Sequence, residues 1–167
     1  MRTVGVALAV AVALALQTAA ARFLVGGSAA VDLVLVVVVY LALTKGPVTG
    51  MLAGSAAGLV QDALSSGVIG IGGFTKLLVG FLVGSIGQQF IMTAALPRFA
   101  IFLVATLLHA AVFMGLYMLI GFRTFSSPFT AALSQAVGNV VVGMIAFTII
   151  EALPGAIERR KLSRRRK

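Results

Sequence analysis

The side chains able to do chemistry are few and widely spaced. Asp32, Asp62, Lys76, His109 and Glu151 interrupt long runs of Val, Leu, Ala and Gly. Nucleophilic catalysis needs a hydroxyl or thiol beside a base that a third group orients. Ser65 and Ser66 have no local base, and Cys is absent, so neither a serine triad nor thiol chemistry is written here. A single histidine without clustered Cys or acidic neighbours is poor material for a metal site. No glycine-rich phosphate loop appears. The expectation is a protein that is not an enzyme and holds no metal or cofactor.

Lys76 is the most informative single residue. It lies nine residues beyond Gly67, or roughly 13 Å into a helix at 1.5 Å per residue. An ammonium that deep in an apolar segment must snorkel, pair or serve a functional site. Asp62, just before the Ser65-Ser66-Gly67 turn, is the nearest partner in sequence, so an Asp62–Lys76 ion pair is expected. Asp32 opens a helix, where the dipole favours a negative charge; sharing a polar outer vestibule with Asp62 is the sharper alternative. His109, with Thr106 and Tyr117 at helical spacings, is expected to hydrogen-bond between helices. Gln135 and Asn139 share one face and would bridge to the fifth or first helix. Glu151 is expected to meet the arginines of the C-terminal tail or the membrane interface.

Two ladders of small residues surround these groups. Gly46, Gly50, Gly54 and Gly58 recur every four residues, as do Gly72, Lys76, Gly80 and Gly84. That spacing keeps them on one helix face. In lipid, such faces let backbones approach until van der Waals packing replaces the missing hydrophobic drive. Packing of the third helix on the fourth, a docking face for another membrane protein, and a substrate cavity are the three readings. The candidate structural or partner-binding residues are thus Asp32, Gly50, Gly54, Gly58, Gln61, Asp62, Lys76, Gly80, Gly84 and His109.

The elements that must carry these residues are membrane helices. Of 167 residues, 60% are hydrophobic and 10% charged, and the mean hydropathy is +1.14. A soluble domain carries roughly 25% charged residues. A spanning helix takes about 20 apolar residues, so six spans leave no room for a separate soluble domain. They are read at 3–21, 29–44, 46–60, about 71–88, 99–121 and 129–153. The alternating Val and Ala of the first run suggest a strand, but no series of strand-length units follows, as a barrel would require. A retained first helix is preferred over a cleaved signal peptide because its apolar run is long and further spans follow. The fold class expected is an all-α six-helix transmembrane bundle over residues 1–157, with a basic tail at 158–167.

Charge placement orients the bundle. Seven of the 13 Lys and Arg residues lie in the last nine positions, and such a cluster beside an apolar helix marks the cytoplasmic side and meets anionic lipid. Nucleic acid is not the expected partner. With six spans both termini are cytoplasmic; Arg2, Lys45 and Arg98 fall inside, Arg22 and Arg123 outside.

The stretch GLVQDALSSGVIGIGGFTKLLVGFLVG (58–84), with VDLVLVVVVYLALTKGPVTGMLAG before it, resembles the bacterial rod shape-determining MreD family. The matching elements are Asp32-Leu33 at the opening of the second helix, the Gly-rich third helix ending in Gln61-Asp62, the Ser65-Ser66-Gly67 turn and Lys76 in the fourth. Val31 stands where the family often has Pro. The resemblance covers residues 31–90 well and the rest in length and hydropathy. It implies a non-catalytic cytoplasmic-membrane subunit of the rod complex, or elongasome, that binds MreC. Through that complex it would be linked to MreB, RodA and a class B penicillin-binding transpeptidase. It also implies a bundle similar to the substrate-binding component of energy-coupling-factor transporters. The alternative function is therefore a vitamin- or small-solute-binding transporter subunit.

Overall fold

A computed structural model describes residues 2–23, 31–65, 67–89, 95–121 and 127–165. They form six helices: α1 (Arg2–Phe23), α2 (Leu33–Lys45), α3 (Pro47–Leu64), α4 (Ile71–Gln89), α5 (Ala95–Leu119) and α6 (Pro128–Arg165). The helical order matches the sequence reading. Among the described residues three helical segments are long and apolar enough to cross a membrane: α4, α5 and Pro128–Ala152 of α6.

α2 is shorter than a span. It has 13 residues, about 20 Å at 1.5 Å each, against a hydrocarbon core of about 30 Å. The sequence reading began it at residue 29. Asp32 stops it there: its backbone is extended and its carboxylate accepts the N–H of Leu35, an N-cap that sets Leu33 as the first helical residue. In α3 the glycines lower the hydropathy. At its start, Gly46 turns the chain with φ of 94° and Pro47 takes the first helical position.

The short α2 is the centre of the molecule. Val34, Leu35, Val36, Val38, Val39, Leu41 and Ala42 are all buried, as befits a helix that is apolar on every side. It touches all five other helices. Leu35 and Val39 join Val79 and Val83 of α4, Phe102 of α5 and Phe147 of α6 in the main core.

α3 and α4 make the closest contact, antiparallel and in step. A Cβ placed on Gly50 would sit 2.6 Å from the Gly80 carbonyl oxygen, and one on Gly58 would sit 2.6 Å from that of Gly72. Gly54 faces the Lys76 carbonyl, and Gly84 faces Pro47. Each step of four along α3 is met by a step of four back along α4. The two glycine ladders are therefore spent on one another, and little of either face is left for a docking partner.

The expected likeness to the substrate-binding component of energy-coupling-factor transporters is corrected. Such a component needs an open cavity with convergent polar groups. Here the ionisable side chains that would line one, Asp32, Lys76 and His109, are at most 4% exposed and bonded to each other. Two grooves of about 610 and 400 Å³ instead flank α1, and both are lined mainly by Ala, Val and Leu.

Candidate functional site: a buried ionic cluster

The cluster is built from the first residue of the α2 cap outward. One Asp32 carboxylate oxygen, Oδ1, is occupied by the Leu35 N–H at 2.9 Å. The other, Oδ2, lies 2.8 Å from Lys76 Nζ of α4. The Asp32 backbone N–H donates to Asn139 Oδ1 of α6 at 2.8 Å. Asn139 Nδ2 in turn donates to Thr106 Oγ1 of α5 at 3.2 Å, and that hydroxyl donates to the Phe102 carbonyl one turn back.

His109 completes the cluster from α5. Its Nε2 is 3.2 Å from Lys76 Nζ. An ammonium has only donors to offer, so Nε2 accepts and the ring proton is assigned to Nδ1. Nδ1 has no partner among the described residues. The ring stacks on Phe113, with centroids 5.6 Å apart; Phe113 in turn leans on Tyr117 at 4.8 Å. Tyr117 Oη accepts the N–H of Val68, fastening the turn before α4 to α5.

α1 reaches the same point through Gln17. Its Nε2 donates to the Val31 carbonyl at 3.1 Å and its Oε1 accepts the Leu33 N–H at 2.8 Å, gripping the backbone on both sides of Asp32. Side chains of α1, α4 and α6 thus meet at Asp32 and its neighbouring backbone, and those of α5 join through Lys76 and Asn139.

Asp62 does not join them. It is 6% exposed, and its Oδ2 accepts the N–H groups of Gly70 and Gly73 at 2.9 and 3.2 Å, capping the start of α4 from the end of α3. This corrects the expected Asp62–Lys76 pair. Lys76 lies opposite Gly54, which is two turns, about 12 Å, from Asp62 along α3. The shared Asp32–Asp62 vestibule is corrected for the same reason: both are buried, on different partners. Gln61, beside Asp62, has its side-chain Oε1 buried without a hydrogen bond among the described residues.

Glu151 meets Arg98, while the side chains of the tail arginines lie outside the described residues. Both terminal nitrogens of Arg98, at the start of α5, donate to its carboxylate, with Nη1 at 2.8 Å. The guanidinium lies 4.7 Å above the Phe147 ring, a cation–π contact. This pair, with Arg98 largely covered and Glu151 exposed, joins α5 to α6 at the opposite end of α5 from Tyr117.

The arrangement can hold charge in place but has little to offer a reaction. Asp32 is saturated by Leu35 and Lys76, and no described group of three or more His, Cys, Asp or Glu residues could hold a metal ion. What it does is mechanical. A buried pair missing one partner costs far more than the pair itself contributes, so the helices bearing Asp32 and Lys76 are penalised for separating. Gln17 and Arg98 were not identified as site residues in the sequence. A Gln sixteen positions into an otherwise apolar helix was the available signal for the first.

The family model for the rod shape-determining protein MreD matches residues 1–153. No curated protein and no solved structure matches the chain.

Proposed function

Because the chain belongs to the rod shape-determining protein MreD family, and is a multi-pass membrane protein and a non-catalytic subunit, we propose that it acts as a rigid platform in the elongasome, holding MreC. The observation that carries this reading is the direction of the polar groups. The Asp32–Lys76–His109 cluster draws helices together inside. Outside, Leu133, Val137, Val141, Ile145 and Ile149 form an exposed ridge along α6 with a residue every four positions. An inward ionic staple with apolar outer faces suits lateral recognition of another membrane helix.

In this role the protein fixes where MreC stands, and through MreC it is linked to MreB, RodA and the class B transpeptidase. Chemical crosslinking in native membranes followed by isolation of the tagged chain should recover MreC, and depletion should round the cells. Rods that persist on depletion, with no MreC recovered, would refute the reading.

The basic segment 158–167 is the cytoplasmic, lipid-contacting end of the protein in this proposal. α6 continues as helix through it to Arg165. A cysteine added after Lys167 should react with a membrane-impermeant maleimide only after the cytoplasmic face is opened. Labelling in intact spheroplasts would invert the topology.

A further inference from the structure

The larger groove, about 610 Å³, runs between α1 and α3. Val6, Val10 and Leu14 form one wall, Leu52 and Ala56 the other, and Lys45 with Thr49 closes one end. The groove is therefore amphiphilic along its length. From Val6 to Leu14 is about 12 Å at 1.5 Å per residue, a length of apolar wall that an extended hydrocarbon chain can follow.

Lys45 decides which chain. It is exposed, and none of the ion pairs among the described residues includes it: Asp32 is taken by Lys76 and Glu151 by Arg98. It ends α2 immediately before α3 begins at Pro47. Lipid tails gain little by leaving other tails for an Ala/Val/Leu wall, since the two media are equally apolar. Selection must come from the headgroup.

We propose that the α1–α3 groove is a binding site for an anionic glycerophospholipid, with one acyl chain between the helices and the phosphate headgroup at Lys45. The bound lipid fills the space beside α1, which touches only α2 and α3 among the described helices, and so completes its packing.

The chain has no tryptophan, which makes a reporter simple to install. Leu52→Trp places one on the groove wall at a side chain 60% exposed; Val104→Trp, equally exposed on α5, is the control. Ala56→Trp, also exposed, is a second groove reporter should Leu52→Trp fold poorly. The full-length protein is reconstituted in phosphatidylcholine vesicles containing a fixed fraction of brominated phosphatidylglycerol or of brominated phosphatidylcholine. Brominated phosphatidylglycerol should compete for the groove about fivefold better than brominated phosphatidylcholine, the preference expected of one lysine near the surface. The control should show no preference. Lys45→Gln should abolish the preference and Lys45→Arg retain it. Equal quenching by the two lipids at the groove would overturn the proposal, as would a preference that survives Lys45→Gln. Quenching by neither lipid, the sign of a groove filled by a second copy or a partner protein, would overturn it as well.

Discussion

Lys76→Met should destabilise the bundle by about 3–5 kcal/mol, because it strands the Asp32 carboxylate without its counter-ion. Asp32 is 4% exposed and Lys76 2%, so water cannot readily stand in for either partner. The single variant Asp32→Asn should be costly for the mirror reason, leaving a buried ammonium against a neutral amide. Combining the two removes both charges, and the double variant should therefore recover about 2 kcal/mol or more relative to the sum of the singles. Reversible unfolding in mixed detergent micelles would measure all three. The cycle pairing Lys76→Met with Asp62→Asn serves as the control. Asp62 is bonded to Gly70 and Gly73 instead, and those two changes should add to within about 0.5 kcal/mol. Additivity in the Asp32 cycle, or strong coupling in the Asp62 cycle, would show that the cluster is wrongly assigned.

Gly54→Leu and Gly80→Leu should each cost about 3 kcal/mol, the upper end of what overpacking does in a close-packed interior. A Cβ at Gly54 meets the Lys76 backbone, and one at Gly80 meets the Gly50 backbone. Backbone cannot swing aside as a side-chain tip does, so the helices must part. The damage should spread, because separating α4 from α3 also shifts the carbonyl next to the Lys76 side chain. Less MreC should then co-purify per folded molecule if the platform proposal holds. Gly115→Leu is the matched control. A Cβ there has nothing within 4 Å, and its effect should stay within about 0.5 kcal/mol. Equal stability of Gly54→Leu and Gly115→Leu would contradict the interlocked ladders.

Much of the fold is legible in one dimension. Apolar runs and their polar breaks yield six helices in the right order, and four-residue glycine spacing marks two small faces, with the α3–α4 contact as one of three readings. Such signals are readable because they depend only on residues near one another in the chain. The second helix was harder. Its apolar pattern extends back towards residue 29, and only the Asp32 cap and Asn139 bond show that it begins at Leu33 and is buried on all sides. A short helix buried from every direction looks, in sequence, like a weak span.

The candidate site was half legible. Composition singles out Asp32, Asp62, Lys76 and His109, because an ionisable group in an apolar segment needs a reason to be there. Which acid meets Lys76 was not readable. Sequence proximity favours Asp62, 14 positions away, over Asp32, 44 away, yet the lysine chooses the distant one.

What the amino-acid order determines alone is therefore the membrane environment, the helices, the two small glycine faces and the short inventory of groups that cannot stay unpaired. Tertiary structure alone decides the pairing. Periodicity specifies where a residue points around its own helix axis, but a salt bridge depends on how neighbouring axes are rotated and shifted against each other. Here the glycine register sets Lys76 opposite Gly54, and α2 fills the space on its far side with Asp32 at its tip. That geometry makes Asp32, Lys76 and His109 one cluster.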